Sequence, residues 1–248
     1  VDYYHKKFGD EEPYTGSRYF PCRYPKATYA AMISYLDEQV GEIVAKLKAL
    51  GIYDNSVIFF TSDNGPTLIE KQVDIAFFES AAPFLSERER VKGSLREGGI
   101  RVPLLASWPG QIEAGSGSDY IGAFWDFYPT ICELTGTPMP EDWNTDGVSF
   151  APSLFGESQT ETHDYLYLEY PERGGQQALR KGEWKAFRQN LKQRQLVTEL
   201  YNLQADPQEL ENVAAEYPEV VEELEKLMQA ARTPTALERW QLPVLTEK

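Results

Sequence analysis

The segment from residue 27 to residue 61 constrains the fold of this chain more than any other feature of the sequence. Apolar residues recur there every three or four positions and so share one face of a predicted helix. They are Ile33, Leu36, Val40, Ile43, Val44, Leu47 and Leu50. Gly51 ends the pattern, as a glycine after a helix commonly does. The continuous β-prone run at 57–61 is typical of a strand covered on both faces, as in a parallel sheet. A helix, a short turn and a buried strand together predict a doubly wound α/β core.

The rest of the first half extends this α/β pattern. A second candidate buried strand lies at 101–108, and a helix is predicted at 124–135. Residues 1–26 are rich in Tyr, Pro and charged side chains without a sustained period, so we expect an irregular surface segment there. Residues 1–155 are therefore expected to belong to a mostly parallel, doubly wound α/β domain.

The last third of the chain has a different texture, with short strand candidates separated by turn residues. Glycine-containing turns are predicted at 174–175 and 181–182, and Pro218 begins an amphipathic helix. We predict that residues 156–248 form a small antiparallel sheet with a packing helix. The strand candidates lie at 165–170, 177–180, 184–188 and 200–203.

The charge balance argues against one class of function. With 24 Lys and Arg against 39 Asp and Glu, the chain has a formal net charge of -15, whereas tracking nucleic acid needs a surplus of cations facing phosphates. An anionic substrate would require a local cationic cluster. No apolar run approaches the roughly 18–20 residues of a membrane span. The two cysteines, Cys22 and Cys132, form neither a disulfide framework nor a metal-ligand spacing.

Polar residues follow the predicted strand at 57–61. Asp63 and Asn64 offer two hard oxygens at its carboxyl end, where ligands bind in open α/β sheets. Such oxygens suit Ca²⁺ or Mg²⁺ better than zinc. Because Asn-Gly is a common turn dipeptide, the same residues also fit an ordinary tight turn.

A second segment, at 91–103, reverses the local sign of charge. Lys92, Arg96 and Arg101 lie within ten positions of one another among several glycines. Glycines let a backbone approach a ligand closely, and clustered cations can bind a tetrahedral anion. An exposed loop with solvated charges is the alternative interpretation.

The two segments together resemble a known family. The stretches SYLDEQVGEIVAKLKALGIYDNSVIFFTSDNGP and VKGSLREGGIRVPLLASWPG are similar to the type I sulfatases, relatives of alkaline phosphatase. The resemblance continues in family order through DFYPTICELTGTPMP, DGVSFAPSLFGE, HDYLYLEYPERGGQQALRKGEWKAF and ELYNLQADPQELENVAAEYPEV. It covers nearly all of residues 27–231 and corresponds to the C-terminal half of an enzyme with the alkaline phosphatase-like fold.

The resemblance implies roles for three residues. In the family, the Asp-Asn pair after this strand ligates the active-site Ca²⁺, which assigns Asp63 and Asn64 as metal ligands, with Mg²⁺ as an alternative cation. The lysine of the following glycine-containing segment contacts a sulfate oxygen, which assigns Lys92. Arg96 and Arg101 receive no catalytic role and are expected to pair with neighbouring carboxylates.

The resemblance also implies that part of the site lies outside this chain. The family's nucleophile is a formylglycine made from a Cys or Ser in a Cys-x-Pro-x-Arg context, which neither Cys22 nor Cys132 fits. His5 lacks the preceding Pro of the family's sulfate-contacting His. Two oxygen ligands are too few for Ca²⁺, which takes roughly six to eight. We therefore expect the missing N-terminal half to supply the rest, and this chain alone to be inactive.

The implied activity is hydrolysis of a sulfate ester, either a sulfated sugar or an aryl sulfate. Details around residues 165–185 resemble the arylsulfatase A and N-acetylgalactosamine-6-sulfatase kind, which favours a sulfated carbohydrate. A phosphomonoester or phosphonate hydrolase of the same superfamily and a non-catalytic, truncated sulfatase-like domain are the alternatives. A periplasmic, secreted or lysosomal location is expected from the family. Candidates to reach the leaving group are Glu169, Tyr170, Arg173 and Gln177, and an ordinary surface position is the alternative for each.

Overall fold

The computed structural model describes residues 1–16, 19–67, 77–87 and 89–245. In chain order, its elements are α1 (Asp2–Phe8), α2 (Pro25–Ala49), β1 (Ile58–Thr61), α3 (Glu97–Ile100), β2 (Leu104–Ser107), α4 (Phe127–Thr135), α5 (Ala151–Leu154), β3 (Leu166–Tyr170), β4 (Gln176–Lys181), β5 (Trp184–Arg188), β6 (Glu199–Asn202) and α6 (Pro218–Ala231). Short 3₁₀ helices lie at Tyr53–Asn55, Phe124–Asp126, Leu191–Gln193, Glu238–Trp240 and Pro243–Leu245. None of the described helices combines the length and apolar character needed to cross a bilayer.

The long helix predicted from the periodic segment is present as α2, but its apolar face is poorly covered. Of its residues, Ala27 and Ala30 are buried, while Ile33 is 52% and Ile43 58% exposed. Helix α1 packs against α2, so the expectation of an entirely irregular segment at 1–26 is wrong. The apolar residues of the periodic pattern are therefore left largely uncovered by the described residues.

The first sheet consists of two described strands. β1 pairs with β2 in antiparallel register, from Ile58 opposite Ser107 to Thr61 opposite Leu104. The parallel pairing expected for this half therefore does not occur between these strands. Leu105 is 61% exposed and Leu104 46% exposed, which is unusual for the inner strands of an α/β sheet. Like α2, this ribbon presents apolar surface that no described residue covers.

The second sheet is an antiparallel meander in the order β3-β4-β5-β6, as the turn and strand pattern predicts. Because side chains alternate along a strand, one face packs on α6, where Leu179 and Ala186 meet Leu224 and Met228. On the opposite face, the neighbours Ala178, Phe187 and Tyr201 pack with Leu95 and Ile100. The meander thus presses one face against the segment that carries Lys92.

Candidate active site

The turn that follows β1 places Asp63 at the surface and Asn64 partly buried. Ser62 Oγ donates to Asn64 O at 2.9 Å, and Asn64 Nδ2 donates to Gly65 O at 2.9 Å. These local bonds fix the turn. They leave the Asn64 side-chain oxygen and the Asp63 carboxylate without a hydrogen-bond partner among the described residues.

Backbone contacts at Gly65 and Gly99 bring this turn against the segment at 91–103. A Cβ atom at Gly65 would lie 1.8 Å from Gly98 O, and one at Gly99 would lie 2.2 Å from Ser94 O. Gly65 N donates to Gly99 O at 2.9 Å. Gly65 and Gly99 therefore allow the close approach of protein backbones.

A second backbone contact brings Lys92 to the same turn. Lys92 N donates to Pro66 O at 3.2 Å, two residues beyond Asn64. The Lys92 side chain is half-buried, and its ammonium group makes no ion pair or hydrogen bond with a described residue. Backbone hydrogen bonds thus connect the two predicted motifs. The ammonium group of Lys92 remains without a partner among the described residues.

A buried charge cluster lies beneath the Lys92 segment. Lys185 Nζ lies 2.8 Å from Glu97 Oε1 and 3.1 Å from Glu209 Oε1, and Glu97 N donates to Glu209 Oε2 at 2.7 Å. Burial alone would raise the pKa of Glu97, but the Lys185 ammonium, assisted by Arg180 and Arg101, holds that pKa below its usual range. The cluster ties α3 to β5 of the C-terminal sheet.

Arg96 and Arg101 both lie near carboxylates. Arg96 Nη2 lies 2.6 Å from Glu199 Oε2, and its guanidinium stacks over the Phe187 ring at 4.4 Å. Arg101 Nη1 lies 3.7 Å from Glu97 Oε2. The expectation that these arginines pair with carboxylates is confirmed, and Arg96 is committed to holding the segment on the sheet.

The start of β4 and the turn that precedes it also contact the Lys92 segment. Gln176 Oε1 accepts from Leu95 N at 2.9 Å, and Gln176 Nε2 donates to Gly93 O at 3.1 Å. A Cβ atom at Gly93 would lie 2.4 Å from Arg173 Cζ. The C-terminal unit therefore contributes directly to the surroundings of Lys92.

The oxygens at this turn match a hard cation in kind but not in number. Asp63 and Asn64 offer carboxylate and carboxamide oxygens, the ligands that Ca²⁺ and Mg²⁺ prefer. Across the described ranges, no group of three or more His, Cys, Asp or Glu side chains is placed to hold a metal ion. Two such ligands fall well short of the roughly six to eight that Ca²⁺ takes.

The histidines and cysteines are engaged elsewhere. His5 Nε2 lies 3.0 Å from Asp10 Oδ1. His163 places Nε2 2.9 Å from both carboxylate oxygens of the buried Asp126. Cys132 is 8% exposed within α4, and Cys22 Sγ donates to Thr28 Oγ1.

A described cleft elsewhere in the chain does not contain these residues. It has a volume of about 680 Å³ and is lined by residues of α3, β2, the 116–124 segment and the C-terminal sheet, but not by Asp63, Asn64 or Lys92. Much of its wall is apolar, including Leu104 and Phe124. The candidate site is therefore inferred from the chemistry of its residues and not from this cleft.

Comparison with known proteins places the chain in a family. The sulfatase family model matches residues 2–137, and a model of the C-terminal region of N-sulphoglucosamine sulphohydrolase matches residues 91–234. The chain is 30% identical over 219 residues to the N-acetylgalactosamine-6-O-sulfatase of Bacteroides thetaiotaomicron, covering 83% of this chain and 42% of that protein.

Solved structures show the same relationship. A protein solved in complex with its substrate D-glucosamine-2-N,6-O-disulfate superposes with a TM-score of 0.65 and 26% identity, covering 83% of this chain and 40% of that one. The phosphonate monoester hydrolase of Agrobacterium radiobacter gives a TM-score of 0.61 and 27% identity, covering 83% and 41%.

The fold is that of the alkaline phosphatase-like sulfatases, an α/β class of hydrolases. The chain belongs to the sulfatase family. It spans less than half the length of the relative and the structures just described.

The sequence interpretation missed the residues that support the Lys92 segment. Lys185 lies at an inward-facing position of β5, between the apolar neighbours Trp184 and Ala186, and a charge inside a strand pattern is a recognisable signal. Its partner Glu209 lies in a polar loop and carries no such signal. Gln176 also carries no signal in the sequence, and only its contacts in the structure show its role.

Proposed function

We propose that this chain is the C-terminal half of a sulfuric ester hydrolase, with residues 1–155 part of its catalytic α/β domain and 156–248 its C-terminal subdomain. One observation carries the proposal. The backbone bonds from Lys92 N to Pro66 O and from Gly65 N to Gly99 O join the segment of Asp63 and Asn64 to the segment of Lys92, which supports a common site for their three side chains.

In the proposed reaction, Lys92 contacts an oxygen of the sulfuryl group. Its positive charge stabilises the negative charge that develops on these oxygens during transfer, and fixed charges of this kind contribute strongly to catalysis. Asp63 and Asn64 would hold Ca²⁺, or Mg²⁺ in its place. The cation supplies further positive charge for polarising the sulfate ester.

The nucleophile of this proposal is a formylglycine outside the 248 residues. Coverage of 42% of the bacterial relative is consistent with an N-terminal half that completes the site. The uncovered apolar residues of α2 and β2, such as Ile43 and Leu105, offer a surface for that half. The missing half would also supply the remaining oxygen ligands.

A sulfated carbohydrate is the proposed substrate. The bacterial relative bears the name of an N-acetylgalactosamine-6-O-sulfatase, and a related structure holds a disulfated glucosamine as substrate. At these levels of identity, the relatives support a class of substrate more strongly than they support a particular sugar or linkage.

The proposal is tested by hydrolysis of 4-nitrophenyl sulfate with Ca²⁺ present. We expect no turnover by residues 1–248 alone and clear turnover by the protein that also carries the N-terminal half. In the latter, Asp63→Ala, Asn64→Ala and Lys92→Ala should each lower kcat/KM by about 100-fold or more. Lys226→Gln, an exposed residue of α6 paired with Glu222, is the matched control and should retain activity.

Clear turnover by residues 1–248 alone would contradict the division of the site between two halves. Full activity of the Lys92→Ala protein would contradict the role assigned to that lysine.

A phosphonate or phosphomonoester hydrolase is the second candidate, favoured by the similarity to the phosphonate monoester hydrolase. Asn64, an oxygen ligand where that class more often has a histidine, favours the sulfatase. Comparing kcat/KM for matched sulfate and phosphate esters separates the two. A non-catalytic sulfatase-like domain predicts turnover of neither ester by any form of the protein.

A further inference from the structure

We propose that Arg173 is a specificity-determining residue that binds a second anionic group, a carboxylate or a sulfate ester, on the saccharide whose reacting sulfate contacts Lys92. This inference rests on the proposed function, since it takes the surroundings of Lys92 to be the substrate site. It extends that function to a second recognition point, supplied by the C-terminal sheet.

The position of Arg173 is the first support. A Cβ atom at Gly93 would lie 2.4 Å from Arg173 Cζ and 2.5 Å from Arg173 Nε. The guanidinium thus lies directly against the backbone of the residue that follows Lys92. Gly93 has a φ of 86°, so both its backbone conformation and this contact favour glycine.

The turn that carries Arg173 is held in place from two directions. Lys192 N donates to Gly174 O at 2.8 Å, and Leu191 N donates to Gly175 O at 3.2 Å. On the other side, the Gln176 amide bonds both Gly93 and Leu95. Arg173 itself has a φ of 48°, a conformation that non-glycine residues adopt only where their surroundings impose it.

The charge of Arg173 is the second support. It is exposed and makes no ion pair with a described residue, although the chain has a net charge of -15. By contrast, three other arginines of the C-terminal unit, Arg180, Arg188 and Arg232, have carboxylate partners. A held, unpaired guanidinium presents a planar fork of donors that matches a carboxylate or a sulfate.

The other leaving-group candidates are engaged in the sheet itself. Glu169 accepts from Arg232 Nε at 2.9 Å, and Gln177, 1% exposed, donates to Tyr167 Oη at 2.9 Å. Tyr170 Oη donates to Glu172 at 3.3 Å. Of the four residues that the sequence offered, Arg173 alone combines exposure with an uncommitted charge next to Lys92.

The test compares three substrates with the protein that carries both halves. One is 4-nitrophenyl sulfate, with a single anionic group; the second is a 6-sulfated N-acetylgalactosamine linked to a uronate; the third is a disulfated hexosamine. The variants are Arg173→Gln, Arg173→Lys and the charge-matched control Lys226→Gln on the opposite face of the sheet. The last two substrates distinguish a carboxylate from a sulfate as the second group.

We expect Arg173→Gln to lower kcat/KM about tenfold or more for at least one dianionic substrate, mainly through KM, and less than twofold for 4-nitrophenyl sulfate. Arg173→Lys should retain part of the preference, because it keeps the charge but loses the fork. Equal losses on all three substrates, or no loss on any, would overturn the inference.

A wild-type protein that hydrolyses none of the substrates would refute the proposed function. In that case, calorimetry of saccharide binding to the wild type and to Arg173→Gln tests the role of Arg173 by itself. Binding of a dianionic saccharide that weakens about tenfold in Arg173→Gln supports it. Equal binding by the two proteins overturns it.

Discussion

Lys185 and Glu97 form an ion pair at 2.8 Å with side chains that are 1% and 3% exposed. The pair joins β5 of the C-terminal sheet to the short helix α3. A second carboxylate, that of Glu209, lies 3.1 Å from the same ammonium. Buried charges are costly unless paired. The geometry around Lys92 therefore depends on a lysine almost a hundred residues away in the sequence.

Replacing Lys185 with Met should destabilise the protein strongly. The substitution keeps most of the side-chain volume but removes the ammonium that lies nearest to the buried carboxylates of Glu97 and Glu209, at a cost of about 3–5 kcal/mol. Urea unfolding followed by circular dichroism measures the loss. Lys226→Gln, which removes an exposed pair with Glu222, is the control and should barely move the midpoint. Equal midpoints for the two variants would contradict the role of the cluster.

The same pair predicts a dependence of stability on pH. Although burial opposes it, Lys185 keeps the pKa of Glu97 below its usual range in the folded protein. The ionised carboxylate therefore stabilises the fold at pH values above the unfolded pKa of about 4.3, and this contribution is lost as the pH falls through the lower, folded pKa.

Between pH 5 and pH 2.5, the unfolding free energy of the wild type should thus fall more steeply than that of Glu97→Gln. The exposed Glu216→Gln serves as control and should keep the wild-type slope. Parallel curves for wild type and Glu97→Gln would show that Glu97 is not held ionised by the fold.

Gly65→Ala should disrupt the contact between the two motifs. The new methyl group would lie 1.8 Å from Gly98 O, a backbone atom, so one segment has to move, and overpacking of this kind costs about 1–3 kcal/mol. Gly41→Ala, in the middle of α2 with open space around it, is the matched control and should be stabilising. Thermal unfolding compares them; an unchanged Tm for Gly65→Ala would refute the close approach.

The uncovered apolar surface predicts the behaviour of residues 1–248 in solution. Ile33, Ile43 and Leu105 are each more than half exposed, and contiguous apolar surface and open sheet edges favour association. We expect the isolated chain to self-associate in static light scattering, and the protein that carries both halves to be less prone to it. A well-behaved monomer of residues 1–248 would count against a missing half.

Local periodicity predicted much of this fold. The recurrence of apolar residues between Ile33 and Leu50 located α2, and the turn glycines delimited β3, β4 and β5. The burial of α2 was not predictable in the same way, because a periodic pattern locates the apolar face of a helix but does not show which part of the protein packs against it. Helix α1 was missed because its seven residues are too short for a period to emerge.

The sequence predicted the residues of the candidate site but not the contacts that support them. Asp63, Asn64 and Lys92 lie in segments that a family resemblance singles out. Their supporting contacts, such as Gln176 to Gly93 or Lys185 to Glu97, join residues more than 80 positions apart. Long-range pairings of this kind leave no spacing in the sequence, so the structure was needed to find them.

A crystal structure of the protein that carries both halves, grown with Ca²⁺ and sulfate, would show whether Asp63, Asn64 and Lys92 share one site. We expect oxygens of Asp63 and Asn64 within about 2.3–2.6 Å of one Ca²⁺ ion, and Lys92 Nζ within hydrogen-bonding distance of a sulfate oxygen in the same pocket. A cation and a sulfate bound elsewhere, with these three side chains diverging from one another, would contradict this expectation.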